Sequence, residues 1–181
     1  MRSLDLRGNN IGAEGCKVLG AALRENGSVE TLHLEENEIG SLGAAYVCHV
    51  LFGRESGSVA LRNIFLDSNY IGDNGALAAA TTLEKCGGIV QLSLRDNGIH
   101  AKCGSKIAAA ALKSDSLTYL DLESNFLTDE GALQFAIVIE KNAKLKYLNL
   151  ANNGIREVGG EKIGQALMRN NCLISLDLQC K

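Results

Sequence analysis

Few side chains in this chain have the types and spacing to do covalent or metal chemistry. His33, His49 and His100 are its three histidines, and Cys16, Cys48, Cys86, Cys103, Cys172 and Cys180 its six thiols. Cys48 and His49 are chain neighbours in a helical stretch, so they face different directions. His100 and Cys103 lie three residues apart at a helix start, but two ligands fall short of the three or four that zinc takes. The same pair as nucleophile and base has no cleft to work in. Phosphate-cradling and dinucleotide glycine loops are absent, as is the strained GxSxG turn of a serine nucleophile. The expectation is therefore a chain that is not an enzyme, with no catalytic residue, no metal site and no cofactor. The cysteines show no CxxC pairing, and reduced thiols point to the cytoplasm, with the nucleus as an alternative. Asn26-Gly27-Ser28 is a formal glycosylation sequon, which carries weight only in a secreted chain.

What does recur at fixed spacing is asparagine. Asn9, Asn37, Asn69, Asn97, Asn125 and Asn153 follow one another at steps of 28, 32, 28, 28 and 28 residues. Each is preceded by an alternating apolar pair: Leu4/Leu6, Leu32/Leu34, Ile64/Leu66, Leu92/Leu94, Leu120/Leu122 and Leu148/Leu150, with a last pair at Leu176/Leu178. Alternation with period two reads as a short strand that buries one face. Two residues after the Asn comes Ile or Leu, then often glycines, as at Gly12/Gly15, Gly40/Gly43 and Gly72/Gly75. Glycine permits the tight turn that leaves the strand.

The next stretch is helical. Cys16, Leu19 and Leu23 share a face, as do Ala132, Phe135 and Ile139, while Lys17, Arg24, Lys106 and Glu140 lie opposite. The helices are expected to stop at Asn26-Gly27, Cys86-Gly87-Gly88, Asn142 and Asn170-Asn171 through left-handed caps. Parallel strands sit about 4.8 Å apart and helices about 8–10 Å apart, so a stack of such units must curve. The Asn amides are expected to satisfy backbone groups that the curved turn leaves unpaired, a structural role for the whole series.

The unit Leu32-x-Leu34-x-x-Asn37-x-Ile39-Gly40-x-x-Gly43 resembles a leucine-rich repeat of the ribonuclease-inhibitor type, and the resemblance runs through essentially the whole chain. It implies an α/β fold: a curved right-handed solenoid, or horseshoe, with parallel strands on the concave face and helices on the convex face. Residues 1–181 are read as one leucine-rich-repeat domain of six full repeats plus a seventh strand. Because neither end shows a polar capping unit, an excerpt of a longer chain is expected. His100 and Cys103 replace glycines in the fourth unit, so its turn is expected to differ. The second unit carries about four extra residues around Phe52–Ser58.

The resemblance implies a protein-interaction scaffold that binds on its concave face, as part of a sensor or regulator. Alternatives are a GTPase-activating module resembling the Ran activator, and a structural bracket in a cytoskeletal or ciliary assembly. The concave candidates are His33, Glu35, Phe65, Asp67, Arg95, Tyr119, Asp121, Glu123 and Tyr147. The strand-exposed positions, with Glu36 and Asp96, hold eight carboxylates against Arg7 and Arg95, a balance of −6 in a chain whose total is −3. The remainder thus carries +3. An acidic lane favours a protein partner with a basic surface over nucleic acid. No apolar run approaches the roughly 20 residues of a membrane span. The oligomeric state is left open.

Overall fold

The computed structural model describes residues 1–49 and 60–180. Strands and helices alternate strictly: β1 (Ser3–Asp5), α1 (Gly12–Glu25), β2 (Thr31–His33), α2 (Gly40–His49), β3 (Asn63–Phe65), α3 (Gly72–Lys85), β4 (Gln91–Ser93), α4 (Ala101–Lys113), β5 (Tyr119–Asp121), α5 (Thr128–Lys141), β6 (Tyr147–Asn149), α6 (Glu157–Leu167) and β7 (Ser175–Asp177). The strands form one parallel sheet in chain order. Its register joins equivalent residues: Leu4 to Leu32, Ile64, Leu92, Leu120, Leu148 and Leu176. The fold is a curved α/β solenoid with the sheet inside and the helices outside. The extra residues at Phe52–Ser58 lie outside the described residues.

The core is a seam between sheet and helices. Leu34, Leu66, Leu94 and Leu122 are fully buried, as are Ile71, Ile99 and Leu127. Cys16, Ala44, Ala76 and Ala132 fill the same helix-face slot, and each is inaccessible to solvent. Just before Ala76 the neighbouring helix comes close: a Cβ on Gly75 would stand 3.1 Å from both the Cβ of Ala44 and the Cα of Ser41 in α2. Burial also pushes the Cys16, Cys48 and Cys103 thiols up to about 11, so they remain protonated hydrophobes at neutral pH.

The repeated asparagines tie one turn to the next. Asn97 Nδ2 donates to Leu66 O and Arg95 O, both at 2.9 Å. Its Oδ1 accepts from the N–H groups of Asn69 at 3.0 Å and Ile71 at 3.2 Å. Asn37, Asn69 and Asn125 repeat the pattern, while Asn153 is buried and bonds to Leu122 O at 2.8 Å. The Asn9 side chain donates within its own turn, to Leu6 O and Arg7 O.

The helix ends differ from the sequence expectation. Asn26, Cys86 and Asn142 are extended, not left-handed. At Asn26 and Asn142 the side chain closes the turn instead. Asn142 Oδ1 accepts from Lys144 N–H and Leu145 N–H at 2.7 and 2.8 Å, and its Nδ2 donates to Ala111 O of the preceding helix at 2.9 Å. Asn170 does the same, reaching Ile139 O at 2.6 Å. A second inter-repeat asparagine link thus runs along the side of the solenoid opposite the first.

The fourth turn does depart from its neighbours. Gly12, Gly40, Gly72 and Thr128 take positive φ at the third residue after the Asn, whereas His100 is extended at φ −93°. Its N–H donates to Asp73 Oδ1 at 2.8 Å. The sixth turn repeats this device, with Arg156 N–H on Asp129 Oδ1 at 2.7 Å and Gly159 N–H on the same oxygen at 3.0 Å.

Candidate functional site

The residue between the two apolar positions of each unit faces the concave side, where the in-register sheet aligns equivalent side chains across repeats. A short polar side chain there turns back on its own chain: Asp5, Asp121, Asn149 and Asp177 each accept from the N–H two residues on, at 2.9–3.2 Å. Ser93 is too short to do so. Asp67, one repeat earlier, takes over by accepting from Arg95 N–H at 3.0 Å and from the Ser93 hydroxyl. His33 and Phe65 stack instead, with ring centroids 4.5 Å apart and planes 6° from parallel.

The sequence-derived concave residues fall into two connected groups. His33 Nδ1 meets Glu35 Oε1 at 2.9 Å beside Phe65, while Glu35 Oε2 is buried with no hydrogen-bond partner. Arg95 Nη2 lies 3.3 Å from Glu123 Oε1, and Asn149 Nδ2 donates to Glu123 Oε2 and to Asp121 Oδ2. Tyr119 donates its hydroxyl to Asp121 Oδ2 at 3.2 Å and tilts against Tyr147 at 6.4 Å. Asp121 is buried, so it works within the platform and not as a free surface charge.

Electrostatics follow from this layout. Arg7 holds the Asp5 carboxyl down to about 2, chiefly by its side-chain hydrogen bond. Burial pushes Asp67 up to about 6, against the opposing bonds from Ser93 and Arg95, and the carboxylates of Asp121 and Glu35 add to the rise. Burial, with Asp121 adding, pushes Tyr119 up to about 12. At the strand exits a trough opens, lined by Arg7, Glu35, Glu36, Asp67, Ser68, Arg95, Asp96 and Ser124. Both of its guanidiniums are already engaged, by Asp5 and by Glu123.

Strand alternation does not bring out a neighbouring groove. It shares Ser68, Asp96 and Ser124 with the trough and is walled by Tyr70 and Phe126. Both aromatics occupy the position directly after a repeat Asn, where the other units have Asn10, Glu38, Gly98 and Gly154. Comparing that column across repeats exposes them; searching the Leu-x-Leu faces does not. His100 sits near this region, stacked on Phe126 at 5.3 Å and 3.3 Å from Asp73 Oδ2, while Cys103 donates its thiol to Asp73 O. Among the described residues, no three metal-ligating side chains are grouped to hold an ion.

A family model described as Leucine Rich repeat matches residues 1–20, 25–48, 113–136 and 141–164. The ribonuclease inhibitor of Sus scrofa is 31% identical over 133 residues, which is 72% of this chain and 28% of that protein. The chain thus spans under a third of that relative's length. Among solved structures, the tropomodulin C-terminal domain of Caenorhabditis elegans superposes with a TM-score of 0.66 at 13% identity, covering 87% of this chain and 92% of that one. Leiomodin-1 actin-binding site 2 gives 0.54 at 19% identity, covering 94% and 80%. At these identities the two structures share the fold with this chain.

Proposed function

The chain belongs to the leucine-rich repeat family, in its ribonuclease-inhibitor-like type, and on that premise we propose that it is a protein-binding module whose concave face and strand-exit trough engage a basic surface of a partner protein. The observation that carries this reading is the charge state of the trough. Its arginines are held by carboxylates of the same face, which leaves Glu36 and Asp96 exposed beside the desolvated Asp67. A cation brought by a partner meets uncompensated negative charge, which favours basic over acidic partners and speeds encounter. Six thiols without disulfides suit work in the cytoplasm or nucleus.

Reversing both exposed charges, Glu36→Lys with Asp96→Lys, should lower affinity for a lysine- and arginine-rich peptide probe about tenfold. Circular dichroism should show an unchanged fold. Undiminished binding by the folded double variant would move the site off this face.

A second reading, a bracket in a cytoskeletal assembly, draws on the exposed apolar residues of the outer helices: Leu42, Leu77, Ile137 and Val158. The leiomodin-1 region of similar fold is an actin-binding site. Cosedimentation with actin filaments tests it, and loss of the pelleted fraction in Leu77→Lys/Val158→Lys is its expected signature. The GTPase-activating alternative needs an arginine free to reach a phosphate, whereas Arg95 is drawn to Glu123.

A further inference from the structure

We propose that the groove between Tyr70 and Phe126 is a receptor slot for a single arginine side chain of the partner. The proposal rests on the basic-partner reading and names the residue type that reaches farthest into the face. Tyr70 is 79% exposed and Phe126 57% exposed. Tyr70 holds φ +56°, the left-handed turn that Asn10, Glu38, Gly98 and Gly154 share at the same position, and a bulky residue adopts it less readily than glycine. Neither burial nor local conformation accounts for a tyrosine there.

The groove's lining supplies the slot. Tyr70 and Phe126 follow repeat asparagines two repeats apart, and both line the groove together with Asp96, Ser124 and Gly98, which adds no side chain to it. Phe126 bridges in parallel to His100 and stacks on its ring, so the exposed Tyr70 ring is the open face of the groove. A planar cation seated on that ring lies inside the roughly 6 Å reach of cation–π attraction. Asp96 sits at the edge shared with the trough, fixed by the Ser68 hydroxyl at 3.1 Å, and supplies the counter-charge. Phe126 is braced by its stacking on His100 and by its N–H bond to Ile99 O at 2.8 Å. An exposed ring face with a carboxylate beside it suits guanidinium, which stacks on rings and presents several donors in a plane, better than the compact, strongly hydrated ammonium of lysine.

The probe is a set of amidated pentapeptides, Gly-Gly-X-Gly-Gly with X arginine, lysine or glutamine, titrated into the isotope-labelled chain and followed by amide NMR. Arginine peptide should shift the Gly98 and Tyr70 resonances, lysine peptide should bind several-fold more weakly and glutamine peptide should leave them unmoved. Tyr70→Gly should cut arginine-peptide affinity about tenfold while raising the melting temperature, because it relieves the backbone strain. Equal binding of arginine and lysine peptides, or undiminished arginine binding by Tyr70→Gly, would overturn the slot. Glu36→Lys separates the two ideas. Loss of affinity for a hexa-arginine peptide in Glu36→Lys, with Tyr70→Gly unaffected, would refute the slot and keep the trough. Hexa-arginine binding that neither variant weakens would refute both.

Discussion

Asn97 has four hydrogen bonds on one amide, two donated and two accepted, all to backbone groups of buried turns. Replacing it with alanine strands those groups away from water at about 1 kcal/mol or more each, so Asn97→Ala should cost about 3–4 kcal/mol in urea denaturation. The Asn9 side chain is exposed and donates only to its own turn, so Asn9→Ala should cost under about 1 kcal/mol. Equal losses would mean that the two asparagines do the same work. Asp67 is the opposite case, a residue whose charge the fold disfavours. Its carboxyl titrates at about 6 in the folded chain against an ordinary aspartate value of 3.8. A raised acid pKa means that the folded state holds the proton more tightly. The stabilisation is present below about pH 4 and is lost as pH rises through about 6. Asparagine keeps the oxygen that Ser93 and Arg95 bond to and removes the charge. The advantage of Asp67→Asn over the parent should therefore grow by about 1–3 kcal/mol between pH 4 and pH 7.5. Parallel stability curves for the two proteins would show that the carboxylate is well solvated.

At the scale of elements, α4 and α6 begin differently from the other helices because an aspartate of the preceding repeat caps them. Asp129 Oδ1 receives both Arg156 N–H and Gly159 N–H, two of the donors that a helix start leaves unsatisfied. Asp129→Ala should cost about 1–2 kcal/mol, and Asp129→Asn should recover most of it because the accepting oxygen remains. Thr128, immediately before it, occupies at φ +54° the place of Gly12, Gly40 and Gly72, so Thr128→Gly should stabilise by about 1 kcal/mol. These details mark the limit of what the sequence discloses. The Leu-x-Leu pairs and the Asn spacing are legible because they repeat within each unit and report a local period. The partners of Asp73, Asp129 and Asn142 lie 27–31 residues away, in the adjoining unit. Reading one unit at a time therefore turns Asn142 into a left-handed stop, when its amide is in fact a link between repeats. Asp121 reads as surface charge for a similar reason: it is buried, and Asn149, which donates to its Oδ2, lies in the next unit.

For the molecule as a whole, stacking in register converts a modest net charge into a directional one. The chain totals −3, yet the outward strand positions together with Glu36 and Asp96, the buried Asp121 included, carry −6 and the rest +3. Pairing of Asp5 with Arg7 and of Arg95 with Glu123 leaves the net balance of that face unchanged while using up both of its cations. What faces solvent at the strand exits is then an acidic ridge, with lysines such as Lys17, Lys106 and Lys162 exposed on the helices. A field of this kind acts before contact, so it governs the encounter rate more than the lifetime of the complex. The screening length falls from about 30 Å at 0.01 M salt to about 8 Å at 0.15 M, shorter than the breadth of the ridge. Association with hexa-arginine should accordingly slow by about tenfold or more across that range in stopped-flow measurements, while the dissociation rate changes far less. The Tyr70→Gly variant should show the reverse pattern, a faster dissociation with an association rate close to the parent's, because ring contacts form only after docking. A salt-insensitive association rate would mean that the acidic ridge plays no part in guiding the partner in.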